Sequence, residues 1–314
     1  MPHPLVFTIV LNYKSPHLTL GCVRSILDCG YPNLRVVVVD NASGDESLEV
    51  FRRGLAAGSV DLLGNAVNEG YAGGNNRGID YALAGGADYI FVLNNDTVVH
   101  EGCIAPLIVA MEADHQLGVA GCPIYEVGKG VGLKQGEEID FKTGEVARRR
   151  QVVPVPRTTE VDFICGAAIM LRASMVRAIG GFDPGLFLLY EDADICFRAR
   201  AAGYRVSFVP SPGITHYASV STKRALPMAT YFGMRNRAWF VRRHGSLRQR
   251  LLFNVCAFLY LYPKAILGRL VGREWTLIAP TVKGMWQGHW GYQGYQRPDV
   301  GEAGRPSSRR SLGR

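Results

Sequence analysis

Apolar and polar positions alternate in blocks along the first hundred residues. Three runs, LVFTIVLNY, LRVVVVDNAS and DYIFVLNND, are short, rich in β-branched or aromatic residues, and end in polar turn-formers. Those are the marks of buried parallel strands. Between them, HLTLGCVRSILDCG and SLEVFRRGLAAG carry helical periodicity and stop at Gly30 and Gly58, and residues 75–83 predict another helix after a glycine-rich turn. Strand–helix alternation at this spacing predicts an α/β fold with a doubly wound parallel sheet. Ligands of such sheets sit at the carboxyl ends of the strands. The polar residues closing the runs are Asn12, Asp40 with Asn41, and Asn94, Asn95 and Asp96. They are therefore expected to converge on one crevice.

Residues 125–160 are polar and glycine-rich and read as hairpins or a mobile loop. Order returns with VDFICGAAIMLRASMVRAIGGFD, a strand and a short helix, then LYEDADICFRARAAGYRVSFVP, a helix leading into a strand, then ITHYASVS. From Tyr231 to about Arg250 the pattern is an amphipathic basic helix, followed by the apolar segment LLFNVCAFLYLYPKAILG. The final eighteen residues, RPDVGEAGRPSSRRSLGR, read as disordered.

With 314 residues and 47% hydrophobic content, the chain can bury a sizeable core, which excludes disorder for most of it. Its net charge of +8 is unevenly placed. Residues 1–219 hold 18 basic and 24 acidic side chains, a net of −6, and the remainder holds 17 and 3, a net of +14. Seven scattered cysteines without CxxC spacing point to reduced, mostly buried thiols in a cytosolic protein. MPHPLVFTIVLNY lacks the features of a signal peptide. The apolar segment from Leu251 comes closest to a transmembrane helix, but Asn254 and Pro263 interrupt it.

Several constellations can carry chemistry. In LNNDT, a carboxylate with neighbouring carbonyl-bearing side chains at a strand end suits a hard divalent cation, and the same residues suit an Asx turn. In YEDADIC, helical spacing puts Glu191 and Asp194 on one face and turns Asp192 elsewhere. Such a carboxylate cluster can keep one member a usable base near neutral pH, or it can be an acidic first turn matching the helix dipole. NEGYAGGNNRG lacks the dinucleotide-binding spacing, and its glycines would let backbone approach a nucleotide or sugar, or simply form a loop. His216 follows a strand and suits either a metal ligand or a structural role. Arg235 and Arg237 could hold phosphate or form a solvated face.

These signals occur in one order. With TIVLNYKSPHLTLGCVRSIL, VVVVDNASGDES, NEGYAGGNNRGIDYAL, YIFVLNNDTVV and GAAIMLRASMVRAIGGFDPGLFLLYEDADICFRARAAGYRV, the chain resembles the family 2 glycosyltransferases over roughly residues 5–245. These are inverting enzymes of the GT-A fold, and the resemblance is to their rhamnosyltransferase-like bacterial branch. It implies a Rossmann-like, mostly parallel sheet with flanking helices in residues 1–245. A basic, partly apolar helical region follows in residues 246–296, and a disordered tail in 297–314. It carries nucleotide binding to Asn12, Asp40, Asn41 and Asn68. The family's DxD-type metal site falls on Asn94, Asn95 and Asp96. Only its third position is acidic here, so Asp96 becomes the expected ligand of Mg2+ or Mn2+, with Asn94 beside it and His216 as a further ligand. The ED motif falls on Glu191 and Asp192, with Asp192 the expected base.

The implied reaction moves a sugar from a nucleoside-diphosphate sugar to a hydroxyl of a saccharide or lipid-linked saccharide, with inversion, in cell-surface polysaccharide synthesis. The branch leans towards dTDP-rhamnose. A nucleotidyltransferase is the runner-up, although LVFTIVLNYKS has no glycine- and lysine-rich nucleotide-grasping start. A non-catalytic nucleotide-sugar or carbohydrate-binding module is the other alternative. Arg242, Arg243, Arg248 and Arg250 precede the apolar segment, and Lys264, Arg269 and Arg273 lie in or after it. That pattern suits an anionic bilayer, and hence a peripheral place on the inner face of the cytoplasmic membrane. It also suits a core helix pair with solvated arginines. Nucleic acid is not expected as a partner, because the basic residues sit beside aliphatic surfaces.

Overall fold

The computed structural model describes residues 3–56, 58–127, 132–134, 136–148, 156–217 and 226–291. The expected basic tail, 297–314, lies outside the described residues. The three apolar runs form β1 (Val6–Asn12), β2 (Leu34–Asp40) and β4 (Tyr89–Asn94), joined at the edge by β3 (Asp61–Gly64). All four are parallel, with Asn12 opposite Asp40 and Leu11 opposite Asn94. That register aligns the polar strand ends along one rim. Three further strands extend the sheet: β6 (Leu117–Gly121), β12 (Ala168–Arg172) and β13 (Arg205–Phe208). The two-residue β11 (Thr159–Glu160) completes it in the order β11-β13-β6-β12-β4-β1-β2-β3. β12 runs antiparallel to both neighbours, so the sheet is mostly parallel rather than wholly so.

Strand alternation gives each face of the sheet its own core. Val6, Val10, Val36 and Val38 pack with α1 (Pro16–Leu27) and α4 (Ile104–Ala113). Phe7, Ile9, Val37 and Val39 pack with α3 (Gly70–Ala84) and α6 (Glu191–Ala201). Each such side chain contributes about 1.5–3 kcal/mol on burial. α2 (Ser47–Gly54) and α5 (Ala173–Ile179) complete the flanking layers. The polar stretch forms hairpins: β7 (Ile124–Glu126) with β8 (Gly132–Lys134), and β9 (Glu137–Asp140) with β10 (Glu145–Arg148). β14 (Ile214–His216) lies between β7 and β5 (Thr97–Val99) in a small second sheet that carries His216 to the rim.

The glycine-rich segment departs from its expected form: it is helix, not turn, and α3 already begins at Gly70. A Cβ on Gly74 would lie 2.6 Å from Leu11 Cδ1, and one on Gly78 would lie 2.6 Å from Ile9 Cγ2. The glycines let α3 lie close against β1, and packing overrides their poor helix propensity.

The basic helix also differs. α7 (Leu226–His244) stops at Gly245, and a capping box between Ser246 and Gln249 starts α8 (Leu247–Cys256). A π-helical turn (Ala257–Leu261) then leads into α9 (Tyr262–Val271), followed by α10 (Trp275–Trp290). Pro263 sits just past that turn instead of ending the helix; local i→i+5 pairing is a common way to accommodate an interruption. The continuous run Leu247–Val271 is thus 25 residues long, with a mean hydropathy of 1.5 in its most apolar stretch. It is long and apolar enough to cross a membrane by length and composition. One side of it packs Phe253, Ala257, Leu261 and Tyr262 with Ala238 and Val241 of α7 and Met285 of α10. The arginines also divide. Arg243 turns inward to pair with Asp183 (2.9 Å) and Asp194 (2.5 Å), and Arg242 donates to the His289 carbonyl oxygen at 2.9 Å. Part of the C-terminal charge, Arg243 above all, is therefore paired inside the fold rather than left at the surface.

Candidate active site

The aligned ends of β1 and β2 make the first wall. Asn12 is fully buried; its Nδ2 donates to Asp40 Oδ1 (2.8 Å) and Ser43 Oγ (3.1 Å), and its Oδ1 accepts from Thr19 Oγ1 (2.8 Å). Ser43 returns its hydroxyl to Asp40 Oδ1 (2.6 Å) and its N–H to Oδ2 (3.1 Å). Asn41 is equally occupied. It donates to Asn68 Oδ1 (2.9 Å) and the Gly70 carbonyl oxygen (3.0 Å), and accepts from Asn65 Nδ2 (3.0 Å) and Glu69 N–H (3.1 Å). Asn68 Oδ1 also accepts from Gly70 N–H at the start of α3 (2.9 Å). The four residues expected to hold a nucleotide are thus contiguous. Two of them, Asn12 and Asn41, have amides fully engaged in aligning Asp40 and α3. Asp40 Oδ2 accepts one N–H and retains capacity for another donor.

The second wall is built at the end of β4. Asp96 Oδ1 lies 3.2 Å from His216 Nε2, and Asn94 Nδ2 is 3.3 Å from the same nitrogen. Asn95 points away from them and donates to Thr19 Oγ1 (3.0 Å), which joins this wall to Asn12 and Asp40. Behind His216, Glu126 Oε1 lies 4.0 Å from Nδ1 and pairs with Lys134 Nζ at 2.8 Å.

The third wall carries the ED motif, whose neighbouring carboxylates have different environments. Asp192 is partly buried; Oδ2 accepts Gly166 N–H (2.9 Å) and Oδ1 accepts Ala193 N–H (2.8 Å). Burial raises its pKa, while those two N–H groups and the charge of Lys134 favour its ionised form. Burial pushes Glu191 well above the usual carboxylate range, and the charge of Asp192 adds to the shift. The two carboxylates thus differ in support: main-chain N–H groups hold both oxygens of Asp192, whereas Glu191 is opposed by both burial and its neighbour's charge. Burial also works against ionised Asp194, but the hydrogen bond from His244 (2.9 Å) and the charges of Arg198 and Arg243 outweigh it and hold its pKa well down. Asp194 is the anchor of α6 to α7.

The walls meet. Asn94 N–H donates to the Ala167 carbonyl oxygen (3.1 Å), next to the Gly166 that holds Asp192. Tyr71 Oη donates to the Gly166 carbonyl oxygen (2.6 Å). Burial raises the Tyr71 pKa, and the nearby carboxyl groups Glu191, Asp192 and Asp96 add to the shift, so groups of the second and third walls act on one side chain.

Several contributors were not anticipated from the sequence. Ser43 was detectable from its Asp-x-x-Ser spacing, a local turn signature. Thr19 was detectable as a polar residue on the apolar face of α1. Tyr71, Gly166, Glu126 and Lys134 carry no local signal. Arg235 and Arg237 fit neither expectation: Arg235 donates to main-chain carbonyls, and Arg237 lies 3.2 Å from Glu145.

The family model "Glycosyltransferase like family 2" matches residues 2–239. The chain is 25% identical over 236 residues to the low-salt glycan biosynthesis hexosyltransferase Agl10 of Haloferax volcanii, covering 73% of each chain. It is 26% identical over 239 residues to the N-acetylglucosaminyl-diphospho-decaprenol L-rhamnosyltransferase of Mycobacterium tuberculosis, covering 69% of this chain and 77% of that one. Among solved structures it superposes on the mannosyltransferase PcManGT of Pyrobaculum calidifontis, in complex with GDP-Man and Mn2+. That match has a TM-score of 0.58 at 16% identity, covering 93% and 88% of the two chains.

Proposed function

From the premise that the chain belongs to glycosyltransferase family 2 and is a glycosyltransferase of the GT-A fold, we propose that it transfers a sugar with inversion. The donor would be a nucleoside-diphosphate sugar, with dTDP-rhamnose the leading candidate, and the acceptor a hydroxyl of a saccharide or lipid-linked saccharide. The observation that carries this reading is the division of labour at the ED motif. Asp194 is tied to His244 and two arginines, whereas both oxygens of Asp192 are aligned by the Gly166 and Ala193 N–H groups beside the strand-end crevice.

In this reaction Asp192 takes the proton from the acceptor hydroxyl as its oxygen attacks the anomeric carbon from the face opposite the leaving group. The bond from that carbon to the diphosphate breaks, and the nucleoside diphosphate departs. Asp192 must then lie within roughly 2.6–3.2 Å of the hydroxyl. The Gly166 and Ala193 N–H groups fix the orientation of its oxygens, and Asp40, aligned by Asn12 and Ser43, faces the nucleotide.

A divalent cation fits the second wall. Asp96 and His216 pair a hard oxygen with an imidazole nitrogen, 3.2 Å apart. Among the described residues no three His, Cys, Asp or Glu side chains gather as a closed site. An open site of this kind suits a cation that shares phosphate oxygens and water. When bound there, Mg2+ or Mn2+ would offset the charge gathering on the diphosphate. The test is nucleoside-diphosphate release from dTDP-rhamnose, UDP-galactose and GDP-mannose, each with Mg2+, Mn2+ or EDTA. Cation-dependent release from one donor supports the reading. Binding of donors with no turnover under any condition would instead mark a binding module.

The same reading places the protein peripherally on the cytoplasmic face of a membrane, with residues 246–296 as the contact region. Leu259 is 77% exposed and Trp286 63%, near Arg248, Lys264, Arg269 and Lys283 in the chain. Because one side of the long helix is packed on α7 and α10, the segment suits lying in the interface plane. Sedimentation with phosphatidylglycerol vesicles at low salt should be lost in the double variant Leu252→Glu, Leu259→Glu. Equal sedimentation of that variant, or its conversion of a dimer into a monomer, would defeat the membrane assignment.

A further inference from the structure

The backbone just before the ED motif holds an unusual conformation. Phe187 (φ 62°), Leu189 (φ 70°) and Tyr190 (φ 72°) are all left-handed, and none is glycine. The left-handed region is unfavourable for residues with a Cβ, so this segment does not hold its shape unaided. Asp194 N–H donates to the Tyr190 carbonyl oxygen at 2.9 Å, so the set of that backbone is the set of the helix carrying Glu191 and Asp192.

Two side chains of α7 grip it. Asn236, with no solvent exposure, donates from Nδ2 to the carbonyl oxygens of Leu186 (2.9 Å), Leu188 (2.9 Å) and Leu189 (2.7 Å). Arg235 Nη2 donates to those of Gly185 (2.6 Å) and Leu186 (3.1 Å), while its Nε donates to Asn236 Oδ1 (2.9 Å) and orients the amide. The guanidinium is itself fixed, 4.0 Å from the Trp239 ring centroid and 4.6 Å from that of Phe232. From the opposite side, the Tyr71 and Ala72 N–H groups donate to the Phe187 carbonyl oxygen (2.7 and 3.2 Å). Here Gly70 (φ 72°) is obligatory, since a Cβ would meet that oxygen at 2.4 Å. The 185–190 backbone is thus clamped between α3, which borders the nucleotide wall, and α7.

We propose that Arg235 and Asn236 are positioning residues: acting through the 185–190 backbone, they hold Asp192 where it can reach the acceptor hydroxyl. The proposal rests on Asp192 being the base of the reaction above, and it assigns work to a pair of residues in the basic third of the chain that touch neither substrate nor Asp192 itself. Removing the amide takes its donor from the Leu188 and Leu189 carbonyls, leaves Leu186 to Arg235 alone, and lets the left-handed residues relax. The base wall then loosens while the nucleotide wall, built on β1 and β2, stays intact.

The test compares Asn236→Ala and the milder Arg235→Lys with wild type in the full chain. Amide exchange should rise by about tenfold or more in peptides covering 183–194, with peptides covering β1, β2 and β4 unchanged. With dTDP-rhamnose as probe, kcat should fall by about tenfold or more in Asn236→Ala and less in Arg235→Lys, while donor KM and dTDP affinity stay within about twofold. Adding Leu189→Gly to Asn236→Ala should recover about threefold in kcat, because glycine adopts that φ without cost. Unchanged exchange at 183–194 in both variants overturns the proposal. So does a rise spread equally over β1, β2 and β4, or a kcat within about twofold of wild type. If wild type releases no dTDP from dTDP-rhamnose, the donor assignment fails, and the exchange measurement still decides whether the clamp exists.

Discussion

The proposed nucleotide wall and the proposed base wall border one crevice but are built by opposite means. Asn12, Asp40 and Asn94 sit at the ends of neighbouring strands, and sheet register alone brings them together. Thr19 and Ser43, the partners of Asn12 and Asp40, follow 7 and 3 residues later. Asp192 depends on Gly166, on a left-handed backbone, and on α7, whose Asn236 lies 50 residues beyond the Leu186 carbonyl it holds. Ladder hydrogen bonds make the strand-end wall rigid, whereas the Asp192 wall is as rigid as its tertiary contacts. Damage at the two walls should therefore read out differently, as lost affinity on one side and lost rate on the other.

The sharpest contrast is between two carboxylates. Asp192→Asn keeps the shape but cannot accept the proton, so transfer should fall by about 10²-fold or more with nucleotide affinity unchanged. Asp40→Asn should do the reverse, weakening nucleoside-diphosphate binding by about tenfold and altering kcat little, because a charge-assisted hydrogen bond is lost at the nucleotide. Isothermal titration with the nucleoside diphosphate beside single-turnover rates checks both. If the two variants lose affinity and rate in the same proportion, the walls are not separate.

The next effect concerns the buried charges that tie α6 to α7. Arg243→Met leaves Asp183 and Asp194 without their shared cation and should cost about 3–5 kcal/mol, read as a lowered denaturant midpoint. The pH dependence has opposite signs at the two carboxylates of that helix. Asp194 is held below its ordinary value of 3.8, so the stability it gives is present above that pH and is lost as pH falls beneath it. Glu191 is raised above its ordinary 4.5, so its contribution is complete below that pH and is lost as pH rises towards its folded value. Hence Asp194→Asn should destabilise at pH 7 by a margin that shrinks on acidification. Glu191→Gln should stabilise at pH 7 and do so less at pH 4. Melting curves parallel to wild type across about pH 4 to 8 for Glu191→Gln, or on acidification below about pH 4 for Asp194→Asn, would contradict these assignments.

The same division marks what was legible in the sequence. β1, β2 and β4 and the convergence of their polar ends followed from β-branched runs closed by Asn and Asp, because a strand end is a local property. The helix at Glu191 followed from its spacing. By contrast, β12 runs antiparallel in the middle of the sheet, and nothing in AIMLR encodes direction. Arg243 looked like surface charge because its partners Asp183 and Asp194 lie 60 and 49 residues away. The Arg235–Asn236 grip was invisible for the same reason: its acceptors are main-chain carbonyls of a loop, which leave no trace in residue type. The glycines of α3 misled in the other direction, since a local rule read them as a turn while their cause is the nearness of β1.

Close packing at one helix glycine and open space at another give opposite signs to the smallest predicted effects. Gly74→Ala puts a methyl 2.6 Å from Leu11 Cδ1 and 3.1 Å from Asn41 Nδ2. Leu11 can shift, but α3 must back away from β1 and from the amide that aligns it, at about 1–3 kcal/mol. Gly21, in α1, faces solvent, and a Cβ added there would meet nothing within 4 Å. Gly21→Ala should therefore stabilise by about 0.5–1 kcal/mol through its effect on the unfolded chain. Chemical denaturation of both variants gives the signs directly. Nucleotide affinity should follow stability only for Gly74→Ala, because of these two glycines only that one approaches Asn41. If Gly21→Ala weakened the nucleotide as much, close packing of α3 on β1 would not be what sets the nucleotide wall.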